Sequence, residues 1–389
     1  MKNREAATAI HQMIGRLPLI RMPRTRLLWF VALPRHYALL LPPIRFANFL
    51  FMPTLSSATL ALALLLAPAL VVAQPSSSAP AKTKNTSFKP GELWYDTDGN
   101  LINAHGGGVL LVGRTYYWYG EKRAQHQEEG VTVYSSKDLY NWKYEGVALT
   151  PSADPQNDIA AGCLMERPKV IYNAKTKQYV MWFHLELKGQ GYKAARAGVA
   201  VSDKPTGPFR YVSSFRPNGH MSRDMGLFVD DDGAAYHMYS SRENYDLRLA
   251  RLSDDYLTVT AQDTMLFSNH REAPALFKTG GKYYLITSGC TGWDPNEASV
   301  HVATSLLGPW QPLGDPMTGP NAKLTFGGQS TYVLPVAGRK DAFIFMADRW
   351  NPKDLKDSRY LWLPVQFKNN QPSIKWLDAW DLTFFNKQL

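Results

Sequence analysis

The sequence predicts an all-β fold, a five-bladed β-propeller, and three observations carry that expectation. Glu166, Asp224, Glu272 and Gln329 each open a similar stretch, and the stretches recur at intervals of about 50 to 60 residues, the period of propeller blades. Behind each opener come an apolar strand, a turn, and an aromatic strand such as Lys282-Tyr283-Tyr284-Leu285-Ile286, which together read as one repeated supersecondary unit. No window sustains a helical period, and Gly, Asn, Asp and Pro turns separate aromatic-rich strands through to the C-terminus.

The elements follow in chain order. Residues 1–73 read as an export signal with an N-terminal extension. Leu60 to Ala73 is an apolar run too short for a comfortable membrane span, and it ends in the small-residue pattern Val71-Val72-Ala73. The mature chain is expected to start near Gln74, exported to the periplasm or secreted, with no stable span. The basic stretch before the run exceeds an ordinary leader and holds a second apolar patch, so a start at Met22 or Met52, or a retained anchor, stays open. No cysteine marks a lipoprotein site. Residues 74–89, rich in Pro, Ser, Ala and Lys, read as a disordered linker.

From residue 90 to 389 a single propeller domain is expected, with units counted from His105, Glu166, Asp224, Glu272 and Gln329. Each unit closes on an outer strand reaching Ser and then, after a short turn, an aromatic residue or Leu: Ser136 with Trp142, Ser202 with Phe209, Ser253 with Leu257, Ser305 with Trp310. Glu92-Leu93-Trp94-Tyr95 is expected to pair with the last blade and close the ring, which would leave no exposed sheet edge.

Composition excludes some functions. The formal charge of +10 over 389 residues suggests an anionic partner, but eight Lys/Arg against Glu5 alone lie in the first 73 residues. A nucleic-acid footprint needs a basic face on the folded domain itself, so nucleic acid is not an expected partner. Cys163 and Cys290 are the two cysteines, too few for a zinc site or a disulfide framework; a pair and two separate thiols stay open. Neither a metal nor another cofactor is expected, and the run Asp230-Asp231-Asp232 reads as an exposed hairpin turn that lacks the further ligands of a Ca²⁺ loop. A monomer is expected.

If each unit opens at the propeller axis, the four openers converge on one funnel. Three are acids, and converging acids suit hydrolysis of a glycosidic bond. Glu272, at a strand start with an apolar wall below it, would carry a raised pKa and act as general acid. Asp224 would tune and orient that acid. Glu166, between Met165 and Arg167, would be kept ionised by Arg167 and serve as a base or a sugar-hydroxyl acceptor. Gln329 sits behind Gly327-Gly328, glycines that let the backbone approach the axis; its amide can orient a water. Tyr119, Glu121, Tyr192, Asn244, Trp293, Asp294, Arg349 and Trp350 lie on blade loops, where such residues can stack on a sugar or bond its hydroxyls, and His105 opens the first unit.

With these residues in view, the chain resembles family 43 glycoside hydrolases over roughly Pro90 to Leu389. Asp96-Thr97-Asp98-Gly99, Ile102-Asn103-Ala104-His105-Gly106-Gly107-Gly108, Tyr116-Tyr117-Trp118-Tyr119-Gly120-Glu121 and Glu166-Arg167-Pro168-Lys169 resemble its exo-β-1,3-galactanase-like branch in particular. The resemblance implies a five-bladed propeller that inverts at the anomeric carbon, with Glu272 as the acid and Asp224 as its pKa modulator. It also implies Glu121, Tyr192 and Asn244 as galactose contacts. The wider family takes its base from an Asp opening the first blade; Gly106 stands at that position here. The galactanase-like branch shares this absence and assigns the base role to the Glu at the position of Glu166 or the Gln at that of Gln329. The expected substrate is β-1,3-galactan or a related polysaccharide, cut from its chain end. Rival readings are a same-fold enzyme acting on arabinosyl or xylosyl linkages, and a carbohydrate-binding propeller without catalysis.

Overall fold

A computed structural model describes residues 84–124 and 128–387, all within the second of the two units into which the chain divides, Ser76–Leu389. The expected export signal, and the linker as far as residue 83, lie outside the described residues. Five sheets follow one another in the chain. Blade I is β1 (His105–Val112), β2 (Thr115–Arg123), β3 (Glu128–Ser136) and β4 (Lys143–Leu149). Blade II is β5 (Leu164–Asn173), β6 (Gln178–Glu186), β7 (Arg196–Ser202) and β8 (Arg210–Phe215). Blade III is β9 (Met225–Val229), β10 (Ala235–Ser241), β11 (Asp246–Leu252) and β12 (Val259–Ser268). Blade IV is β13 (Glu272–Thr279), β14 (Lys282–Ser288), β15 (Ser299–Ala303) and β16 (Gln311–Gly314). In blade V, β17 (Met317–Thr318) adds in parallel to β21 (Gln371–Lys375), beyond β18 (Gln329–Pro335), β19 (Phe343–Arg349) and β20 (Arg359–Lys368).

The core is divided among the blade junctions. Successive side chains on a strand point to opposite faces, and in a propeller both faces of a blade meet a neighbour. On β6, Tyr179, Met181, Phe183 and Leu185 pack toward blade I, whereas Val180 and Trp182 pack toward blade III. The strand therefore reads as a continuous apolar run. Five buried clusters result, one between each pair of adjacent blades. The inner strands β1, β5, β9, β13 and β18 touch in sequence, and β18 touches β1, so the ring is closed around one axis.

Closure does not use the strand expected at Glu92–Tyr95. Blade V draws its strands from residues 317 to 375, and the segment before His105 makes isolated bridges, Phe88 to Trp380 and Tyr95 to Leu101. The local chemistry explains the difference. Asp96 Oδ1 accepts the backbone N–H groups of Asp98 and Asn100 at 2.9 and 2.8 Å, folding the chain back before a ladder can form. Trp94 instead inserts its indole between Trp118, Tyr360 and Trp362, at centroid distances of 6.3, 5.6 and 5.2 Å.

Order also begins earlier than residue 90. Phe88, placed in the linker by its neighbours' composition, is 2% exposed and stacks on Trp380 at 4.5 Å, with reciprocal backbone hydrogen bonds of 2.7 and 3.1 Å. One large ring in a polar stretch suffices, because its burial outweighs local polarity. Phe88→Ala is expected to cost about 3–5 kcal/mol, read as a lowered denaturation midpoint; a cost under about 1 kcal/mol would show that the segment is not part of the fold.

Three inner strands open on a bulge that aims side chains at the axis. The register slips after His105, Glu166 and Glu272, and the next residue, Gly106, Arg167 or Ala273, adopts φ of 61°, 53° or 55°. Each bulge N–H donates to a carboxylate of the preceding blade: Gly106 to Asp348 at 2.5 Å, Arg167 to Glu121 at 2.7 Å, and Ala273 to Asp224 at 3.1 Å. These bonds offset the cost of left-handed backbone at two residues that are not glycine.

Candidate active site

Glu166, Asp224, Glu272 and Gln329, at the openings of blades II to V, gather at one end of the axis around the guanidinium of Arg167. Arg167 Nε lies 2.9 Å from Asp224 Oδ2, its Nη2 donates to Gln329 Oε1, and its Nη1 donates to Ser330 O at 2.9 Å. This corrects the expected Glu166–Arg167 pair. The left-handed turn at Arg167 sends its side chain across the axis, away from the carboxylate beside it in sequence. Glu166 pairs with Arg123 of β2 instead, at 3.1 Å.

Glu272 is set apart from the other acids. Gln329 Nε2 donates to its Oε1 at 2.9 Å and Asn244 Nδ2 to its Oε2 at 2.8 Å. Burial, then the neighbouring Asp224 charge, pushes its pKa up to about 7. Arg167, Cys290 and Gln329 pull the other way and are outweighed. Glu166 goes in the opposite direction. Burial would raise it, but hydrogen bonding and charge from His184, the charge of Arg123 and the Tyr192 hydroxyl at 2.8 Å hold it well below the usual carboxylate range. Two carboxyls in one funnel are thus driven apart, one toward the protonated state and one toward the charged state.

Gln329 is fixed at both ends of its amide. Oε1 accepts from Arg167 and from Trp350 Nε1 at 3.0 Å, and Nε2 donates to Glu272 and to Ser288 Oγ at 3.0 Å. Contact at 2.9 Å with Glu272 leaves no space for a water between these two groups. An inverting pair needs about 6.5–9.5 Å.

The remaining candidates divide. Glu121, 1% exposed, bonds the Arg167 N–H and pairs with Arg123 Nη2; burial raises its pKa against the pull of Arg123. A Cβ on Gly106 would stand 2.2 Å from Glu121 Oε1, so Glu121 fills the space a side chain at that position would need. Tyr192 is 43% exposed, with its hydroxyl on Glu166. Asn244 keeps a buried Oδ1 without a protein partner. Trp293, at 40% exposure, stands edge-on to Trp350 at 5.3 Å, with exposed Asp294 beside it.

Of the expected sugar contacts, His105 is corrected by its burial, and Arg349 is found bonded to backbone. His105 is 0% exposed, stacked on Tyr360 at 5.2 Å; burial, then the charge of Arg123, lowers its pKa to about 3. It is a neutral support beneath Trp350, because the first-blade bulge turns it inward. Arg349 donates from Nε and Nη2 to Phe326 O at 3.2 and 2.7 Å and covers Trp376 at 5.4 Å. Its work is to hold the left-handed turn Thr325-Phe326 that precedes Gln329. Tyr119 is likewise 0% exposed, its hydroxyl spent on Pro205 O.

Sequence reasoning missed Arg123, His184 and Lys169. Lys169, in the Glu-Arg-Pro-Lys motif, is 3% exposed and donates to Gly106 O and Arg167 O at 2.9 and 3.3 Å, closing the funnel floor with Arg167. Cys163 and Cys290 form no disulfide, and Cys163 is buried. In the Asp230–Asp232 turn, Lys278 pairs with Asp230 and Asp231 at 2.6 and 2.7 Å. Among the described residues no His, Cys, Asp or Glu group is arranged to hold a metal ion, and no helix is long and apolar enough to cross a membrane.

Residues 107–367 match the family described as glycosyl hydrolases family 43. The chain belongs to that family. Its fold and sequence are similar to a family 43 β-1,3-galactosidase solved with galactodeoxynojirimycin, at 50% identity and a TM-score of 0.74, over 76% of this chain and 100% of that one. They are also similar to an exo-β-1,3-galactanase from Phanerochaete chrysosporium solved with β-1,3-galactotriose, at 39% identity and a TM-score of 0.72, over 76% of this chain and 68% of that one. A putative exo-β-1,3-galactanase from Bifidobacterium bifidum matches at 33% identity and a TM-score of 0.68, over 76% of this chain and 97% of that one. No curated protein matches the chain.

Proposed function

We propose that this family 43 enzyme is an exo-acting β-1,3-galactanase that inverts configuration and releases galactose from the chain end. The observation that carries the reading is Glu272 at the axis, its carboxyl held by Asn244 and Gln329 and its pKa pushed up to about 7, in the same funnel as Glu166, whose carboxylate Arg123 and His184 keep charged. Protonated Glu272 donates to the leaving glycosidic oxygen, and water attacks the anomeric carbon from the opposite ring face. Glu166 accepts a hydrogen bond from that water, because Gln329 is occupied against Glu272. The water's proton leaves to solvent as the new bond forms, since the oxocarbenium character of the transition state places most of the demand on the acid. Asp224, held by Arg167, keeps the Glu272 proton in place. Asn244 Oδ1, Tyr192 and the Trp293–Trp350 wall supply sugar contacts. The funnel ends on buried Arg167 and Lys169, which suits one terminal ring. Export, proposed from the apolar run 60–73, would place the enzyme where polysaccharide is met.

The test is incubation with β-1,3-galactan and with arabinosyl and xylosyl substrates, the products followed by NMR. Galactose alone, first appearing as the α-anomer, is expected. Galacto-oligosaccharides, β-galactose, or release from the pentosyl substrates only would overturn the reading, as would tight binding without cleavage. For the water, Glu166→Gln is expected to lose more activity than Gln329→Ala and to be rescued by azide as an α-galactosyl azide. Azide rescue of Gln329→Ala alone would move the role to Gln329.

A further inference from the structure

Behind Glu166 lies a buried histidine that the reaction just described does not use. His184, near the far end of β6 in blade II, is 1% exposed. Its Nδ1 stands 3.1 Å from Glu166 Oε2 and its Nε2 2.8 Å from Glu186 Oε1, with both carboxylates buried. A neutral imidazole has one N–H, so between two carboxylates it would turn a lone pair toward one of them; only the imidazolium presents an N–H to both, hydrogen-bonded to Glu186 and in ion-pair contact with Glu166. The second oxygen of Glu186 accepts the N–H of Ala195 at 3.0 Å, a residue held at φ 45°. Ala195 ends the 187–195 loop, and the same loop carries Tyr192, whose hydroxyl returns to Glu166 Oε1 at 2.8 Å. Glu166, His184, Glu186, Ala195 and Tyr192 thus form a closed circuit, made of three hydrogen bonds, the 3.1 Å ion-pair contact of His184 with Glu166 and the loop backbone between Tyr192 and Ala195, that joins an axial carboxylate to a half-exposed loop at the mouth.

We infer that His184 is a positioning residue: its imidazolium fixes Glu166 toward the sugar and ties it, through Glu186, to the loop that presents Tyr192. The inference deepens the galactanase reading and rests on it for the identity of the sugar. The titratable groups against His184 are Glu166 from β5, Glu186 from β6 and the Tyr192 ring from the loop, and Arg123 of β2 reaches the same Glu166, with Glu121 beside it. Burial works against the charge on His184, but the two glutamates outweigh it and hold the ring protonated to about pH 9. Arg123 also bonds Glu166, so losing the imidazolium weakens the hold on that carboxylate without freeing it.

Imidazole NMR of the histidine-labelled full chain reads the bridge without substrate. The resonances assigned by their absence in His184→Gln are expected to show both nitrogens protonated at pH 7, with a midpoint near 9 that falls in Glu186→Gln. A neutral His184 ring at pH 7 would overturn the inference. In kinetics, His184→Gln is expected to lower kcat/KM by about 10²-fold, the scale of a catalytic group misplaced by about an ångström. The acid limb of its pH profile is expected to move up by about one unit or more, as Glu166 loses a cationic neighbour. A fall in kcat/KM with an unmoved acid limb would reduce His184 to a core residue and overturn the inference. A wild-type protein inert on galactan, with the imidazolium present by NMR, would sink the substrate reading and still support the bridge.

Discussion

The Glu272→Gln variant is expected to keep its fold and lose galactose release by about 10²–10⁴-fold in kcat, the contribution typical of a positioned general acid. Gln matches Glu in volume, and one oxygen of the new amide still accepts from either Asn244 or Gln329. Its own NH₂ group then meets the other donor, a mismatch worth about 1–3 kcal/mol, so a modest fall in stability accompanies a large fall in rate. KM is expected to change little, because the acid acts on the leaving oxygen and holds little of the ground-state sugar. The wild-type pH profile supplies the second half of the test. Glu272 is active when protonated and its pKa is raised to about 7, so kcat/KM is expected to hold below pH 7 and fall tenfold per unit above it. In Glu272→Gln the residual activity is expected to lose that alkaline limb. A variant that keeps full rate, or an alkaline limb that survives the substitution, would remove Glu272 from the chemistry.

How far the site can be read before the fold depends on which property places each residue. Glu166, Asp224, Glu272 and Gln329 were legible because each occupies the same position in a repeated unit, and a ring of repeats turns equivalent positions into neighbours. The pairing of charges was not legible. Sequence adjacency suggested Glu166 with Arg167, yet a left-handed residue at the bulge reverses the expected side-chain direction, and nothing in the residue type announces φ of 53° at an arginine. Arg123 and His184 lie at the far ends of second strands, where a polar residue in an apolar run looks like an edge or a turn; only the third dimension sets them against Glu166. His105 and Arg349 failed for the converse reason. Both sit at strand ends near the funnel, the places where sugar contacts occur, but the His105 ring is buried against Tyr360 and the Arg349 guanidinium bonds the backbone of Phe326. The N-terminal segment shows the same limit of local composition: Phe88 and Trp94 lie in polar, Gly-rich stretches and still belong to the aromatic core between blades I and V.

Arg167 is expected to be the residue whose loss damages both the fold and the reaction most. It is 5% exposed and meets partners from three other blades: Glu121 of blade I, Asp224 at the head of blade III, and Gln329 and Ser330 of blade V. Arg167→Met keeps most of the volume and the backbone N–H to Glu121, but it leaves Asp224 as a largely buried charge with Ala273 N–H as its remaining partner. Breaking a buried pair in this one-sided way costs about 3–5 kcal/mol, which should appear as a lower urea midpoint with little change in slope. Arg167→Lys restores the charge but not the fork. An ammonium on a flexible stem cannot serve Asp224, Gln329 and the Ser330 carbonyl in one plane, so partial recovery of stability without recovery of rate is expected. The reaction reports the same loss through Glu272. Arg167 is one of the influences that lower the Glu272 pKa, and with it gone the alkaline limb is expected to move to higher pH even as kcat falls, because Gln329 and Asp224 are no longer held against the acid. An Arg167→Met protein with an unchanged urea midpoint and an unchanged limb would mean that the guanidinium is a passenger at the axis. A matched shift in both would identify it as the group that ties the openings of four blades into one site.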